Sequence, residues 1–222
     1  MKRPSLRGEL TIGLGVYAAY LLVRNHVLAA DGRERARRGA EQLVALESRL
    51  GIAREEELQR VTLRFPRLLA GANAGYAVFN VGLTVGWLVY RYRTQHPGYR
   101  RLRHACVLAH LGAQPIFLLR PVAPPRTLPR IVDTLREVSG LDLEHPVLVR
   151  LYNPVAAMPS LHVAFATVTA CAVAERSSSR TAVVGAFAYP SLVAMVVTAT
   201  GNHFVLDSAA GAALGALAWR LA

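Results

Sequence analysis

The chain has 222 residues, 53% of them hydrophobic, with 26 basic against 14 acidic side chains and a formal net charge of +12. The apolar residues run in long blocks separated by arginines, which excludes an ordinary soluble domain and describes a membrane protein. Those arginines border apolar segments rather than forming a basic domain with interleaved aromatics, so an anionic lipid surface fits the charge and nucleic acid does not.

Lys2 is the only lysine, a bias that genomic base composition explains as readily as function. Cys106 and Cys171 each sit inside an apolar block with no Cys or His at metal-ligand spacing, so neither a disulfide framework nor a zinc site is expected.

Six stretches read as membrane helices when set against the ~20 apolar residues that cross a hydrocarbon layer. The first covers residues 10–29 after the basic start Met1-Lys2-Arg3. The same pattern can be read as a signal peptide, but Arg24, Asn25 and His26 sit where a cleavage region is uncharged, which favours a retained helix. Residues 31–67 carry charges of both signs, with Leu43, Leu46 and Leu50 at helical spacing. That pattern describes an amphipathic helix on the membrane surface, or a helical hairpin resting on the membrane domain, interrupted at Gly51.

The second span, residues 68–90, carries Gly71 with Gly75 and Gly82 with Gly86, spacings that favour close helix packing. Arg91, Arg93, Arg100, Arg101 and Arg103 follow without an acidic residue among them and mark a cytoplasmic loop. A third span over 102–119 then leads outward to a proline-rich loop, 120–158. The fourth (159–174), fifth (181–199) and sixth (203–221) return, exit and return again. The chain thus reads as an all-α integral membrane protein with about six spans. Its two parts are an N-terminal helix with an interfacial segment (1–67) and a helical domain (68–222). One tension remains: residues 31–67, with nine arginines and seven acidic residues, fall on the outer side, although acidic residues count for little in orientation.

Ionisable residues at membrane depth call for a functional explanation. In this topology His162 begins the fourth span and His203 and Asp207 begin the sixth, all at one outer face. Four-residue spacing lets Asp207 accept a hydrogen bond from His203, fix its tautomer and leave the other nitrogen free to attack phosphorus. His162 is then placed to act as acid and base. Pro159 suits a helix start whose free N–H groups, with the Ser160 hydroxyl, can hold an anion, and Gly201-Asn202 offers a second such start. Among the arginines of the outer loop, Arg126 follows Pro124-Pro125 and is the leading phosphate ligand, with Arg120 and Arg150 as further candidates. Arg130 reads as an interfacial residue, and His26, His96, His104, His110 and His145 as packing or interfacial residues. No cofactor is called for.

Met158-Pro159-Ser160-Leu161-His162 and Gly201-Asn202-His203-Phe204-Val205-Leu206-Asp207 resemble two signature motifs of the type 2 phosphatidic acid phosphatase superfamily. The similarity runs from about residue 50 to the C-terminus, and the segment Ala123-Pro124-Pro125 looks like that of its inositol phosphorylceramide synthase-like branch. The resemblance implies His203 as nucleophile, Asp207 as its orienting partner and His162 as acid/base. Two basic residues of the phosphatase branch are missing: Ala113 stands where a lysine would precede Arg120-Pro121, and Val197 where an arginine would precede His203.

These readings converge on a metal-independent lipid phosphatase or phosphotransferase of the plasma membrane, with its site on the extracytoplasmic face. Its expected partners are a lipid phosphate and, for transfer, inositol or another polyol. The alternative is a catalytically silent lipid-binding or scaffold protein of the same fold, which would tolerate His203→Ala. A transporter would call for matched broken helices, and Pro190 has no counterpart.

Overall fold

The computed structural model describes residues 4–29, 31–76 and 80–222; the basic start at 1–3, Ala30 of the cleavage-like pair and residues 77–79 of the second span lie outside the described residues. All regular elements described are helices, joined by one isolated parallel bridge between Val122 and Ala156. In chain order the α-helices are α1 (Leu6–Ala29), α2 (Gly32–Arg49), α3 (Glu55–Thr62), α4 (Pro66–Ala74), α5 (Asn80–Arg93), α6 (Tyr99–Leu119), α7 (Thr134–Ser139), α8 (Pro146–Val149), α9 (Leu161–Ala174), α10 (Arg180–Ala199) and α11 (Val205–Leu221), with a 3-10 turn at Pro125–Thr127 between α6 and α7. α1, α6 and α10 have the length and apolar composition of a bilayer crossing. α9 has 14 residues and α11 has 17, about 21 and 26 Å at 1.5 Å per residue, short of a full hydrocarbon layer. Three of the six expected spans therefore meet that requirement by themselves.

α9 is the axis of the molecule. It is apolar on every side and buries Val163, Ala164, Ala166, Val168, Ala170 and Ala172, as a helix enclosed by others must; α5, α6, α10 and α11 surround it. Small side chains set the spacing: Ala105 and Ala109 of α6, Ala164, Val168 and Ala172 of α9 and Ala218 of α11 share one cluster with Leu102 and Trp219. Close approach of α11 rests on two glycines. A Cβ at Gly211 would stand 2.3 Å from the Ser160 carbonyl oxygen, and one at Gly215 2.4 Å from that of Ala164. Gly71, Gly75, Gly82 and Gly86, which the sequence marks for close packing, face open space. The spacing is the same; only the pair on α11 meets a backbone.

Gly211→Ala is therefore expected to push α11 off α9, destabilising the fold by about 1–3 kcal/mol through overpacking. Gly71→Ala should leave the melting temperature unchanged or slightly raised. Thermal unfolding of the two purified variants in detergent checks this; equal melting temperatures would contradict the packing account.

The segment 31–67 lies against the helical domain. α2 buries Ala36, Ala40, Leu43 and Glu47, while Leu46 and Leu50 are exposed. The buried stripe thus lies beside the predicted leucine stripe, because small residues allow α2 to sit close to the proline-rich loop: a Cβ at Gly39 would meet the Pro121 carbonyl oxygen at 2.5 Å. Of the two readings, the hairpin on the domain describes this contact. The break at Gly51 is real, with φ of +69°. Val27, Ala36, Ala40 and Leu43 share a core with Val122, Ala123, Val155, Ala157 and Phe204, so this segment touches both halves of the motif region.

Candidate active site

The proline-rich loop builds one wall of the site. Residues 121–126 are buried, and the N–H groups of Val122, Ala123 and Arg126 all donate to carbonyls of other segments, as burial demands. Val122 N–H donates to Val155 O at 3.1 Å, Ala157 N–H to Val122 O at 2.9 Å and Ala123 N–H to Ala36 O at 2.9 Å. This pairing carries Ala157 towards His203 and Arg126 towards Asn202.

The second wall is the start of α9, joined to the start of α11 by a bond from Ser160 N–H to Asp207 O at 3.0 Å. Ser160 is fully buried and its hydroxyl oxygen accepts from Val163 N–H at 3.4 Å. It is a cap and a strut, so its N–H is not one of the free groups expected at this helix start.

His203 precedes the helix rather than opening it. Gly201, at φ +72°, turns the chain after α10, and the N–H groups of Asn202 and His203 both donate to Val197 O, at 2.9 and 3.0 Å. The His203 ring is 4% exposed. Its Nδ1 lies 2.9 Å from Ala157 O and 3.5 Å from Asp207 Oδ2. A carbonyl oxygen only accepts, so Nδ1 carries the proton and Nε2 holds the lone pair. The direct bond that sets the tautomer thus goes to a backbone carbonyl, while Asp207 Oδ2 caps α11 by accepting from Phe204 N–H at 2.9 Å. Nε2 faces His162 Nδ1 at 3.4 Å, with the two rings edge to face.

Arg126 reaches the same place. Its N–H donates to Gly201 O at 2.8 Å, its guanidinium donates to Asn202 Oδ1, and Asp133 Oδ2 lies 3.8 Å from Nε. Asn202, 1% exposed, also donates to Thr200 Oγ1 at 2.8 Å, so its amide is occupied in holding Arg126. Arg120 and Arg150 are exposed at the C-caps of α6 and α8, and no hydrogen bond or ion pair among the described residues ties them to the histidines. Arg130 is exposed and pairs with Glu56 at 3.8 Å. Ala113 and Val197 are buried, 0% and 1% exposed, Val197 among Val163, Ala166 and Val193; packing fills both positions where basic residues would otherwise stand.

Sequence reasoning missed two phenols and two acids. Tyr76 stacks on His162, with ring centroids 4.6 Å apart, and Tyr76 and Tyr152 both lie against the Arg126 guanidinium. Nothing in their spacing sets them apart from ordinary membrane tyrosines. Glu47 and Glu55 are buried, 0% and 6% exposed, and neighbour each other. A charged residue at the apolar-stripe position of α2 was the available signal for Glu47.

Burial, and next the adjoining Glu55 carboxyl, pushes Glu47 up from 4.5 to about 8. Between those values the folded chain holds a proton that the unfolded chain has released, so stability falls as pH rises from about 4.5 towards 8. Glu47→Gln should flatten that slope in melting curves recorded across the range; an unchanged slope would contradict the assignment.

A family model described as the PAP2 superfamily matches residues 41–221, from within α2 to the end of α11. Comparison with curated proteins and with solved structures gives no match.

Proposed function

The chain belongs to the PAP2 superfamily, and from that premise we propose that it is a membrane lipid phosphatase or phosphotransferase working through a phosphohistidine on His203. The observation that carries this reading is the His203 ring itself. Nδ1 is bonded to Ala157 O, so Nε2 is the free lone pair, and it points at His162 beside an anchored guanidinium.

In the first step Nε2 attacks phosphorus, the bond to the leaving oxygen breaks, and protonated His162 gives that oxygen its proton. Arg126 balances the charge on the equatorial oxygens, and Asp207, 3.5 Å from Nδ1, stabilises the positive imidazole of the intermediate. In the second step neutral His162 takes a proton from water or an alcohol, whose oxygen displaces Nε2 from phosphorus. A phosphoryl group needs more room than 3.4 Å, so the His162 ring swings aside as it enters. Among the described hydrogen bonds and ring contacts, a stack on Tyr76 and the long bond and edge contact with His203 are what hold it.

A second reading concerns the acceptor. Apolar packing at Ala113 and Val197 departs from the phosphatase pattern and favours the inositol phosphorylceramide synthase-like branch, in which the group passes to an alcohol such as inositol. The remaining proposals are a fold of about six spans in the plasma membrane and a site on the extracytoplasmic face. Arg91, on Ala172 O, and Arg101, paired with Glu175, sit at the far end of α9 from His162, about 15 and 20 Å away along the helix. A cytoplasmic arginine cluster at that end supports an outward-facing site.

The test is mass spectrometry of isotopically labelled phosphatidic acid, lysophosphatidic acid, sphingosine phosphate and phosphatidylinositol, incubated with purified protein and chelator, with and without inositol. Release of phosphate supports hydrolysis and a labelled inositol product supports transfer. Neither product from any of the four would overturn the proposal.

A further inference from the structure

The first turn of α11, next to His203, is capped by carboxyl groups from three elements. Phe204 N–H donates to Asp207 Oδ2 at 2.9 Å, Val205 N–H to Glu55 Oε1 at 3.0 Å and Leu206 N–H to Glu47 Oε1 at 2.6 Å. A helix start leaves such N–H groups for local side chains or water; here two of the three partners lie 150 and 159 residues away in sequence.

The arrangement is expensive. Buried carboxyl groups are unfavourable unless paired, Glu47 and Glu55 lie against each other, and Asp207 Oδ1 has no hydrogen-bond partner among the described residues. Neutral side chains would supply the same acceptors. What the acids touch is the five-residue turn that carries His203 and Asp207, and α3 clamps the adjoining loop as well: the Gln59 amide donates to Val132 O at 2.9 Å and accepts from Val132 N–H at 2.8 Å.

We propose that Glu47 and Glu55 are positioning residues for the phosphoryl-transfer site, fixing the N–H groups of Leu206 and Val205 so that His203 Nε2 is held in line for attack. The segment 31–67, packed on the helical domain, is thereby part of the catalytic apparatus although it lies outside the motif residues. The inference rests on the reading of His203 as nucleophile, and it assigns the two glutamates an effect on the rate of phosphohistidine formation rather than on substrate affinity.

The experiment compares Glu47→Met, Glu55→Met, Glu47→Gln, Glu55→Gln and, as an exposed control on α2, Glu41→Ala, in the full-length protein in detergent. Methionine keeps the volume without the oxygen acceptor; glutamine keeps the acceptor. The readouts are melting temperature, kcat and KM on whichever of the four lipid phosphates the unmodified chain turns over fastest, and the rate at which label appears on protein. For the methionine variants kcat and labelling rate should fall by roughly tenfold or more, with KM within about twofold. The glutamine variants should recover most of the rate and Glu41→Ala all of it. Folded methionine variants that label at the unmodified rate, a rise in KM with kcat unchanged, or glutamine variants as slow as methionine would each overturn the positioning role. Should a methionine variant fail to fold, the glutamine variant of the same residue decides: a loss of kcat there as deep as His203→Gln shows, with melting unchanged, overturns the acceptor argument. Absence of label on the unmodified chain overturns the phosphohistidine reading itself and this inference with it.

Discussion

His203→Gln should lower turnover of lipid phosphates on the order of 10⁴-fold while the protein remains folded. Glutamine can still donate an amide proton to Ala157 O, the contact His203 makes at 2.9 Å, so the buried carbonyl stays satisfied and the turn keeps its anchor. What disappears is the lone pair of Nε2. No other described histidine stands in the same place: His162 lacks a carbonyl on its ring to fix its tautomer, and the other five serve elsewhere, His145 capping α8 and His110 lying between Tyr20 and Phe165. The loss should fall on kcat, and the acid-labile phosphoenzyme formed by the unmodified chain should be absent from the variant. Rapid-quench labelling with acid and alkaline work-up measures both. A variant that keeps its activity, or a phosphoenzyme that survives acid, would remove His203 from the role. The same variant separates an enzyme from a silent scaffold, whose cellular function would survive the substitution.

Much of the helical frame was legible because membrane helices follow length and apolarity. The spans expected over 102–119, 159–174 and 181–199 correspond to Tyr99–Leu119, Leu161–Ala174 and Arg180–Ala199, and their ends fall where Ser160, Ser179 and Gly98 interrupt the pattern. Glycine spacing failed as a guide to contact, since Gly71, Gly75, Gly82 and Gly86 face open space while Gly211 and Gly215 close the α9 interface. Spacing records a capacity for close approach, and the partner decides whether it is used. In the site, the motif residues His162 and His203 meet, but three local details could not be read from spacing. The carbonyl of Ala157, which sets the His203 tautomer, comes from a loop 46 residues earlier. Ser160 is spent on capping and Asn202 on Arg126. The two glutamates come from a segment whose leucine pattern pointed to the membrane surface, and their partners are backbone N–H groups, which leave no mark on the sequence.

His162→Ala is expected to slow turnover about 10²- to 10⁴-fold on lipid substrates, the usual worth of a positioned proton donor, but by much less when the leaving group is good. An alkoxide departing from a lipid phosphate needs a proton as its bond to phosphorus breaks, whereas a nitrophenolate leaves without one. If His162 supplies that proton, the rate of phosphohistidine formation in the variant should depend steeply on leaving-group acidity, and the deficit against the unmodified chain should shrink along a series of aryl and alkyl phosphates. The second step behaves differently, because attack by water or an alcohol still needs a base. The variant should therefore accumulate phosphohistidine with aryl substrates, giving a burst of released phenol followed by slow turnover. This distinguishes a proton donor from a packing residue: His162 stacks on Tyr76 at 4.6 Å, and a ring needed only for packing would slow all substrates alike and leave no burst. Equal deficits across the series, with no accumulation of label on His203, would move His162 out of the chemistry and leave Arg126 and the fixed His203 ring as the working parts of the site.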